Sequence, residues 1–502
     1  MGFVFEYDAR KTAGNWQKIQ SDDLVDRPIP EPRPLPLPEL KPQTSMAVVA
    51  KGSFIRSGDV DGKTVGQLMQ SDFLSPEEGA GDGCFLVIDM GREECGFITF
   101  EVEAPAGTVL DIAVGQHLAQ MRVGARIGSR NFASRYICAE GRQFFTHYND
   151  RYSGRYIQLH ASSNPELVKI HNAGLIPFEY PVAFAGKFNC EDSLLNKIYE
   201  VCGRTLHLCM HEHYEDTPWR EQGLYANDGR NQALTGYYVF GEYEFPRVSL
   251  ELLGQGMRPN GFIPLTAPSN AADFVIPSFT LAWIAAVRDY LMYSGENTFI
   301  ESQISRVRLI LDSLTATCEN DLLPCPKGKG YWHFYDWADG LDGVDNGNFC
   351  FAWTEIKNSR FDAPLNLFYV SALEAASDIC LFCGETQSAE AYRQQAVKTK
   401  QAFDKVFWSE SEQAYQTYIG EQSIPGHFCE LVQALGAAQA VVFGDGEPQP
   451  GALVVITDNR SPDDIRAALT LLNAGLPDYA RLQAVYLRRQ RLTQAEGHIT
   501  AN

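Results

Sequence analysis

Apolar positions change their period along the chain, and the change marks out its organisation. Between residues 45 and 187 they alternate with polar ones in short runs: FLVIDMG (85–91), GFITFEVEAP (96–105), TVLDIAVGQ (108–116) and RYIQLHAS (155–162). Glycines and a Pro-Ala-Gly turn punctuate these runs. Period-two alternation with closely spaced turn signals predicts an antiparallel β-sandwich. Taken alone, such a module is carbohydrate-binding or merely supporting. Near Gly186 the step lengthens to three and four residues. From Asp192, a helix N-cap by type, Leu194, Leu195, Ile198, Val201, Cys202, Leu206 and Cys209 line one helical face. Asp228 is expected to cap the next helix, which carries Ala233, Leu234, Tyr237, Tyr238 and Phe240. Further helices are predicted near 277–294, 298–316, 364–383, 387–407 and 428–442, with Gly295 as the C′ glycine of the first. Helices in series without a helical-repeat signature predict a solenoid or a closed α/α barrel. Long loops rich in Trp, Tyr and Asp favour the barrel.

Ahead of both regions, residues 1–22 suggest no clear element. RPIPEPRPLPLPELKPQ (27–43) is dominated by proline. It reads as an extended strap along the next domain rather than as a signalling ligand. The predicted organisation is therefore an N-terminal segment with the strap (1–44), a β-sandwich (45–187) and a helical domain (188–502).

Composition narrows the function. With 42 Lys+Arg against 63 Asp+Glu the formal net charge is −21. Nucleic acid and anionic membrane would repel such a surface, so neither is an expected partner. No run is read as a membrane span and the N-terminus lacks a signal-peptide pattern, so a soluble cytoplasmic protein is expected. Of the 12 cysteines, only Cys380 and Cys383 form a C-x-x-C pair. They lie in an apolar helical run and read as buried thiols. His211, His213 and His427 show no ligand spacing, so no catalytic metal and no cofactor is expected, and a structural ion is left open.

Two loops carry the candidate chemistry. EHYEDTPWREQGLYANDGR (212–230) gathers Glu215, Asp216, Glu221 and Asp228 beside Trp219, Arg220 and Tyr225, and Pro218 and Gly223 break any continuous helix there. Crowded carboxylates repel, so at least one should have a raised pKa, as a general acid at neutral pH requires. A solvated acidic loop is the plainer reading; the aromatic and arginine content and the flanking apolar helices weigh against it. GKGYWHFYDWADG (328–340) interleaves Tyr331, Trp332, Tyr335 and Trp337 with Asp336 and Asp339. Rings that pack on the C–H face of a pyranose, beside carboxylates that accept its hydroxyl hydrogens, make a sugar site. The competing reading is an aromatic core beneath a loop.

At these residues the chain resembles a known family. Asp216-Thr217-Pro218-Trp219-Arg220-Glu221, with Asp228 following, is similar to the acidic motif of bacterial α-L-rhamnosidases of glycoside hydrolase family 78, usually Asp-Cys-Pro-x-Arg-Glu. DMGREECGFITFEVEAPAGTVLDI resembles that family's β-sandwich. LNLFYVSALEAASDICLFCGE and AFDKVFW resemble its late barrel helices, so the likeness covers most of residues 80–440. It implies an (α/α)6 six-hairpin toroid after the sandwich and inverting hydrolysis of terminal α-L-rhamnose from a glycoside or oligosaccharide. It also implies Glu221 as general acid, and Asp216, Arg220 and Asp228 as residues holding the sugar. Trp332, Asp336 and Trp337 match the pocket's aromatic-acidic wall more loosely.

There are departures. Thr217 replaces the usual Cys, and Leu224-Tyr225-Ala226-Asn227 replaces a Gly-Trp-Thr-Gly type of wall. The segment expected to bear the general base, of the form Gly-Ala-Thr-Thr-x-Trp-Glu, is not found, and the surroundings of Glu496 do not match it. The expectation is thus a toroid that stops before its last hairpin. The alternatives are a catalytically silent carbohydrate-binding relative, a six-hairpin glycosidase for another sugar, and a helical scaffold for protein partners.

Overall fold

The computed structural model describes residues 4–11, 33–77, 81–127, 130–269, 274–328, 330–344, 359–412, 414–420 and 426–438. Arg27–Pro32 of the proline-rich run, the stretch after 438 and Glu496 lie outside them. The chain divides into two compact units, Met1–Gly223 with Thr235–Phe245, and Leu224–Leu234 with Pro246–Asn502.

The first unit is built on ten strands: β1 (Glu6–Asp8), β2 (Glu39–Leu40), β3 (Ala47–Ile55), β4 (Phe73–Ser75), β5 (Gly83–Ala104), β6 (Val109–Gly115), β7 (Ala133–Ile137), β8 (Gly141–Thr146), β9 (Tyr152–Ser162) and β10 (Lys169–Glu179). The two runs expected at 85–91 and 96–105 are one strand of 22 residues, β5. Its first half pairs with β3 and β9, and its second half with β8 and β10. Two layers therefore share this strand. Ile88, Ile112, Ile157 and Leu159 of one layer meet Phe100, Val102, Ala173 and Leu175 of the other in a single buried cluster. This is the predicted sandwich, with one difference: β1 runs parallel to β7. The glycines that looked like turn signals permit the shared strand to continue. Gly91 sits at φ 87°, and a Cβ on Gly96 would lie 2.0 Å from the Ile176 carbonyl oxygen. The end of the proline-rich run joins this unit, with Leu40 registered against Phe178 and Lys41 N–H donating to Pro177 O.

A short helix, α1 (Val65–Ser71), precedes β4 and is closed by a Thr64–Gln67 capping box. After β10 comes α2 (Ser193–Leu208), whose cap is Asp192 as expected, accepting from Leu194 N and Leu195 N. The apolar stripe of α2 is only partly used: Leu206 is buried, whereas Leu194, Leu195, Ile198 and Val201 are exposed. Next is α3 (Ala226–Val239), which begins two residues before Asp228, so that carboxylate stands within the first turn and not at the cap position. Negative charge still suits the helix N-terminus there.

The second unit stacks helical hairpins. α4 (Glu244–Gln255), which the periodicity did not single out, precedes α5 (Pro277–Ser294) and α6 (Asn297–Thr315). Gly295 at φ 65° turns α5 into α6. α7 (Ala363–Phe382) and α8 (Thr386–Phe407) form the next hairpin, and α9 (Glu430–Ala438) follows. α7 packs on α5, α6 and α8. Contrary to expectation, α7 is long and apolar enough to cross a membrane, but 67% of its most apolar stretch is buried in the protein. Its apolar residues are spent on its neighbours in the hairpin stack, where Leu365, Leu367, Tyr369, Val370 and Leu373 are wholly enclosed. Cys380 is buried with them, while Cys383 is only half-buried.

Candidate functional site

The acidic loop leaves α2 at Cys209 and is pinned from beneath. Glu215 N–H donates to Cys209 O at 2.9 Å, and the Glu215 carboxylate is buried at 1% exposure. Arg151 grips it with a fork, Nη2 to Oε1 at 2.5 Å and Nη1 to Oε2 at 3.2 Å. His211 Nδ1 lies 3.2 Å from Oε2, while its Nε2 donates to Phe178 O at 3.0 Å. Burial raises the Glu215 carboxyl, but His211 and Arg151 outweigh it and hold the group at about 2. Crowding by acids was expected to raise a pKa in this loop. For Glu215 the outcome is opposite, because its neighbours in space are cations, His211 four residues earlier in the chain and Arg151 from a distant segment.

Above this anchor the motif closes on itself. Asp216 N–H donates to Gly223 O and Gly223 N–H donates to Asp216 Oδ1, both at 2.9 Å. Gln222 takes a left-handed φ of 52°, an arrangement that costs free energy in a non-glycine residue. Its side chain donates to Pro218 O at 3.0 Å and to Arg151 O at 3.3 Å. Trp219 is spent on packing, its ring 5.0 Å from that of Phe132. Arg220 and Glu221 remain half-buried, with Nη1 3.2 Å from Oε1. Asp216, Arg220 and Glu221 are thus brought together on one clasped turn.

The other named residues belong to the second unit. Asp228 rides on the first turn of α3 and is half-buried. In the altered wall, Leu224 and Ala226 are buried, whereas Tyr225 and Asn227 keep surface. Tyr225 meets the Phe279 ring edge-on at 6.5 Å, and Phe279 meets Phe334 at 6.3 Å. Phe334 in turn lies 4.9 Å from Trp337. A file of rings therefore joins the start of α3 to the 331–341 loop. Trp332 has 7% exposure and packs with Ile276 and Phe334, so at this position the core reading prevails over the pocket wall. Trp337 is 51% exposed, and Asp336 is exposed, accepting from Trp337 N–H at 2.7 Å.

Sequence reasoning missed Arg151, His211 as an anchor, and Gln222. Arg151 stands 64 residues before Glu215 in an unremarkable tyrosine-rich stretch, and no local signal marks it. A cavity of about 360 Å³ lies in the first unit between β3, β5 and Pro165–Leu167. It is lined mainly by apolar side chains and holds none of the candidate residues.

Two family models match the chain. That of the bacterial alpha-L-rhamnosidase 6 hairpin glycosidase domain covers residues 183–441, and that of the bacterial alpha-L-rhamnosidase concanavalin-like domain covers residues 82–174. Among solved structures, a family 78 rhamnosidase of Bacillus sp. GL1 is 28% identical, over 84% of this chain and 42% of that one, with a TM-score of 0.65. A Klebsiella oxytoca rhamnosidase with rhamnose bound is 16% identical over 91% and 87%, at 0.58. A Streptomyces avermitilis α-L-rhamnosidase complexed with L-rhamnose is 16% identical over 71% and 32%, at 0.54. At those identities the latter two share the fold alone. The chain spans less than half the length of the Bacillus protein. No curated protein matches.

Proposed function

The chain belongs to the bacterial α-L-rhamnosidase family, and from that premise we propose that it removes terminal α-L-rhamnose from glycosides by an inverting two-carboxylate mechanism. Glu221 acts as the general acid and protonates the glycosidic oxygen as the bond to C1 breaks. A second carboxylate draws a proton from water, which attacks C1 from the opposite face; the two groups stand about 6.5–9.5 Å apart to admit that water. Asp216, Arg220 and Asp228 hold the sugar hydroxyls, Asp336 adds a further acceptor, and Trp337 offers its exposed face to the C–H side of the ring.

The observation that supports this reading best is the clasped turn. Reciprocal Asp216–Gly223 hydrogen bonds fix the backbone on either side of Glu221, and a buried ion pair holds the turn's root. A general acid must be positioned before it can be useful, and this loop spends its interactions on position. The test is release of nitrophenol from 4-nitrophenyl α-L-rhamnoside by the full chain and by Glu221→Gln. Turnover by the wild type should fall by about 10²–10⁴ in kcat in the variant. If folded wild type binds rhamnose in calorimetry but releases no nitrophenol, the protein is instead a sugar-binding relative.

A further inference from the structure

Within the second unit, three side chains from separate segments converge beneath the aromatic loop. Cys325 follows α6, His333 lies in the 331–335 stretch, and Asp362 stands at the N-cap position of α7. Their Sγ, ring nitrogen and carboxylate oxygen all lie within 4.8 Å of one another. Cys325 and Asp362 are buried and His333 is half-buried.

The hydrogen bonding around them is one-sided. His333 Nε2 lies 2.9 Å from Pro326 O. A carbonyl oxygen can only accept, so the ring proton sits on Nε2 and Nδ1 carries a lone pair. That Nδ1 is buried and has no hydrogen-bond partner among the described residues. A buried acceptor left so costs about 1–3 kcal/mol. Asp362 occupies a position whose carboxylate ordinarily caps the helix, yet it makes no capping bond. It accepts instead from Tyr335 Oη at 2.7 Å and from Ser359 Oγ. Cys325 Sγ has Ser359 Oγ 3.9 Å away. Pro326 O thus orients His333, and Tyr335 and Ser359 orient Asp362, as outer partners do for metal ligands.

We propose that Cys325, His333 and Asp362 bind a zinc ion. The donor set is thiolate, imidazole nitrogen and carboxylate oxygen, a combination that suits a borderline-soft divalent ion and not calcium or magnesium. Two anionic ligands and one neutral ligand balance Zn²⁺ to zero net charge, so the group can be buried without an uncompensated charge. Tetrahedral coordination at ordinary Zn–S and Zn–N lengths puts ligand atoms roughly 3.3–3.8 Å apart, so atoms now within 4.8 Å of one another need close by no more than about 1.5 Å. Water takes the fourth position. The ion would tie the segment after α6 and the aromatic loop to the start of α7. This goes beyond rhamnoside hydrolysis and does not depend on it.

The test uses the full chain, stripped with chelator and titrated with Co²⁺, whose thiolate charge-transfer absorption reports a Cys ligand. One equivalent should saturate the band, and Zn²⁺ should displace the Co²⁺ as the tighter ion. Cys325→Ser should lose the band, while Cys202→Ser, at an exposed cysteine, should leave it unchanged. His333→Gln should weaken binding by at least about 10–100-fold, the loss that even outer partners cause. It alone decides if Cys325→Ser does not fold. A wild type without a band, or a band that survives in Cys325→Ser or keeps its affinity in His333→Gln, overturns the proposal.

Discussion

The two loops proposed to carry the chemistry are held by different forces. The acidic loop is held by charge: a carboxylate at 1% exposure sits in an arginine fork, and a reciprocal pair of hydrogen bonds closes the turn above it. The aromatic loop is held by area: Trp332 and Phe334 pack on Ile276, with Leu265 and Phe279 against the same cluster. A buried ion pair dictates orientation, because each partner has few acceptable geometries, but it fails badly when one partner is lost. An aromatic cluster fixes position by contact and degrades gradually. The charge anchor lies beneath the residue proposed to move a proton, where orientation matters most. The ring anchor lies beneath a surface proposed only to receive a sugar face.

The largest expected effect comes from removing half of the charge anchor. Arg151→Met leaves the Glu215 carboxylate buried without its arginine fork, with His211 alone beside it, and should cost about 3–5 kcal/mol in denaturant unfolding. Arg151→Met with Glu215→Leu should recover much of that loss. Equal costs for the single and double variants would show that the pair is not the anchor. The same contact predicts a pH dependence. The Glu215 pKa is lowered in the folded protein to about 2, against about 4.3 in an unfolded chain. Its stabilisation is therefore complete above the unfolded value and is lost as pH falls from there through the folded value. Stability measured between pH 5 and pH 2 should fall more steeply for wild type than for Glu215→Gln. Parallel curves would remove Glu215 from the account.

How far this was readable in advance follows from the same distinction. Local signals were legible: Asp192 caps α2, Gly295 ends α5, and α5 spans Pro277–Ser294 as its apolar spacing predicts. Glycines misled, since Gly91 and Gly96 look like turn signals yet lie inside β5. Periodicity identified α2 as a helix but could not say that Leu194 and Ile198 would stay exposed, because spacing defines a face and not what covers it. The site motif was readable as clustered acids. The sign of the Glu215 shift was not, because it is set by His211, whose approach depends on how the turn folds, together with Arg151, far away in sequence. Chemistry written in neighbouring residues survives the reading; chemistry written in long-range pairs does not.

On the ring side, Trp332→Ala should cost about 3 kcal/mol, at the low end for a buried aromatic, since Trp337 and Phe334 can partly close the gap. Unlike the Glu215 contribution, this cost should be the same at pH 7 and pH 4, because no titrating group takes part in the packing. A cost that shrinks with acid would mean that the aromatic loop, too, is held by charge, and the contrast between the two anchors would fail.

The smallest effect on stability, and the sharpest test of the aromatic surface, is at Trp337. Its ring is half-exposed and meets Trp332 and Phe334 edgewise. Trp337→Ala should therefore cost under about 1 kcal/mol of stability. If the exposed ring stacks on the sugar, the variant should raise KM for 4-nitrophenyl α-L-rhamnoside by about 3–10-fold at nearly constant kcat, the worth of one ring contact. Trp337→Phe should restore much of the affinity, because the face survives. A variant that instead loses several kcal/mol of stability and binds rhamnose unchanged would assign Trp337 to the core beside Trp332. The aromatic loop would then be packing throughout, and recognition of the sugar would rest with the acidic loop and Asp228.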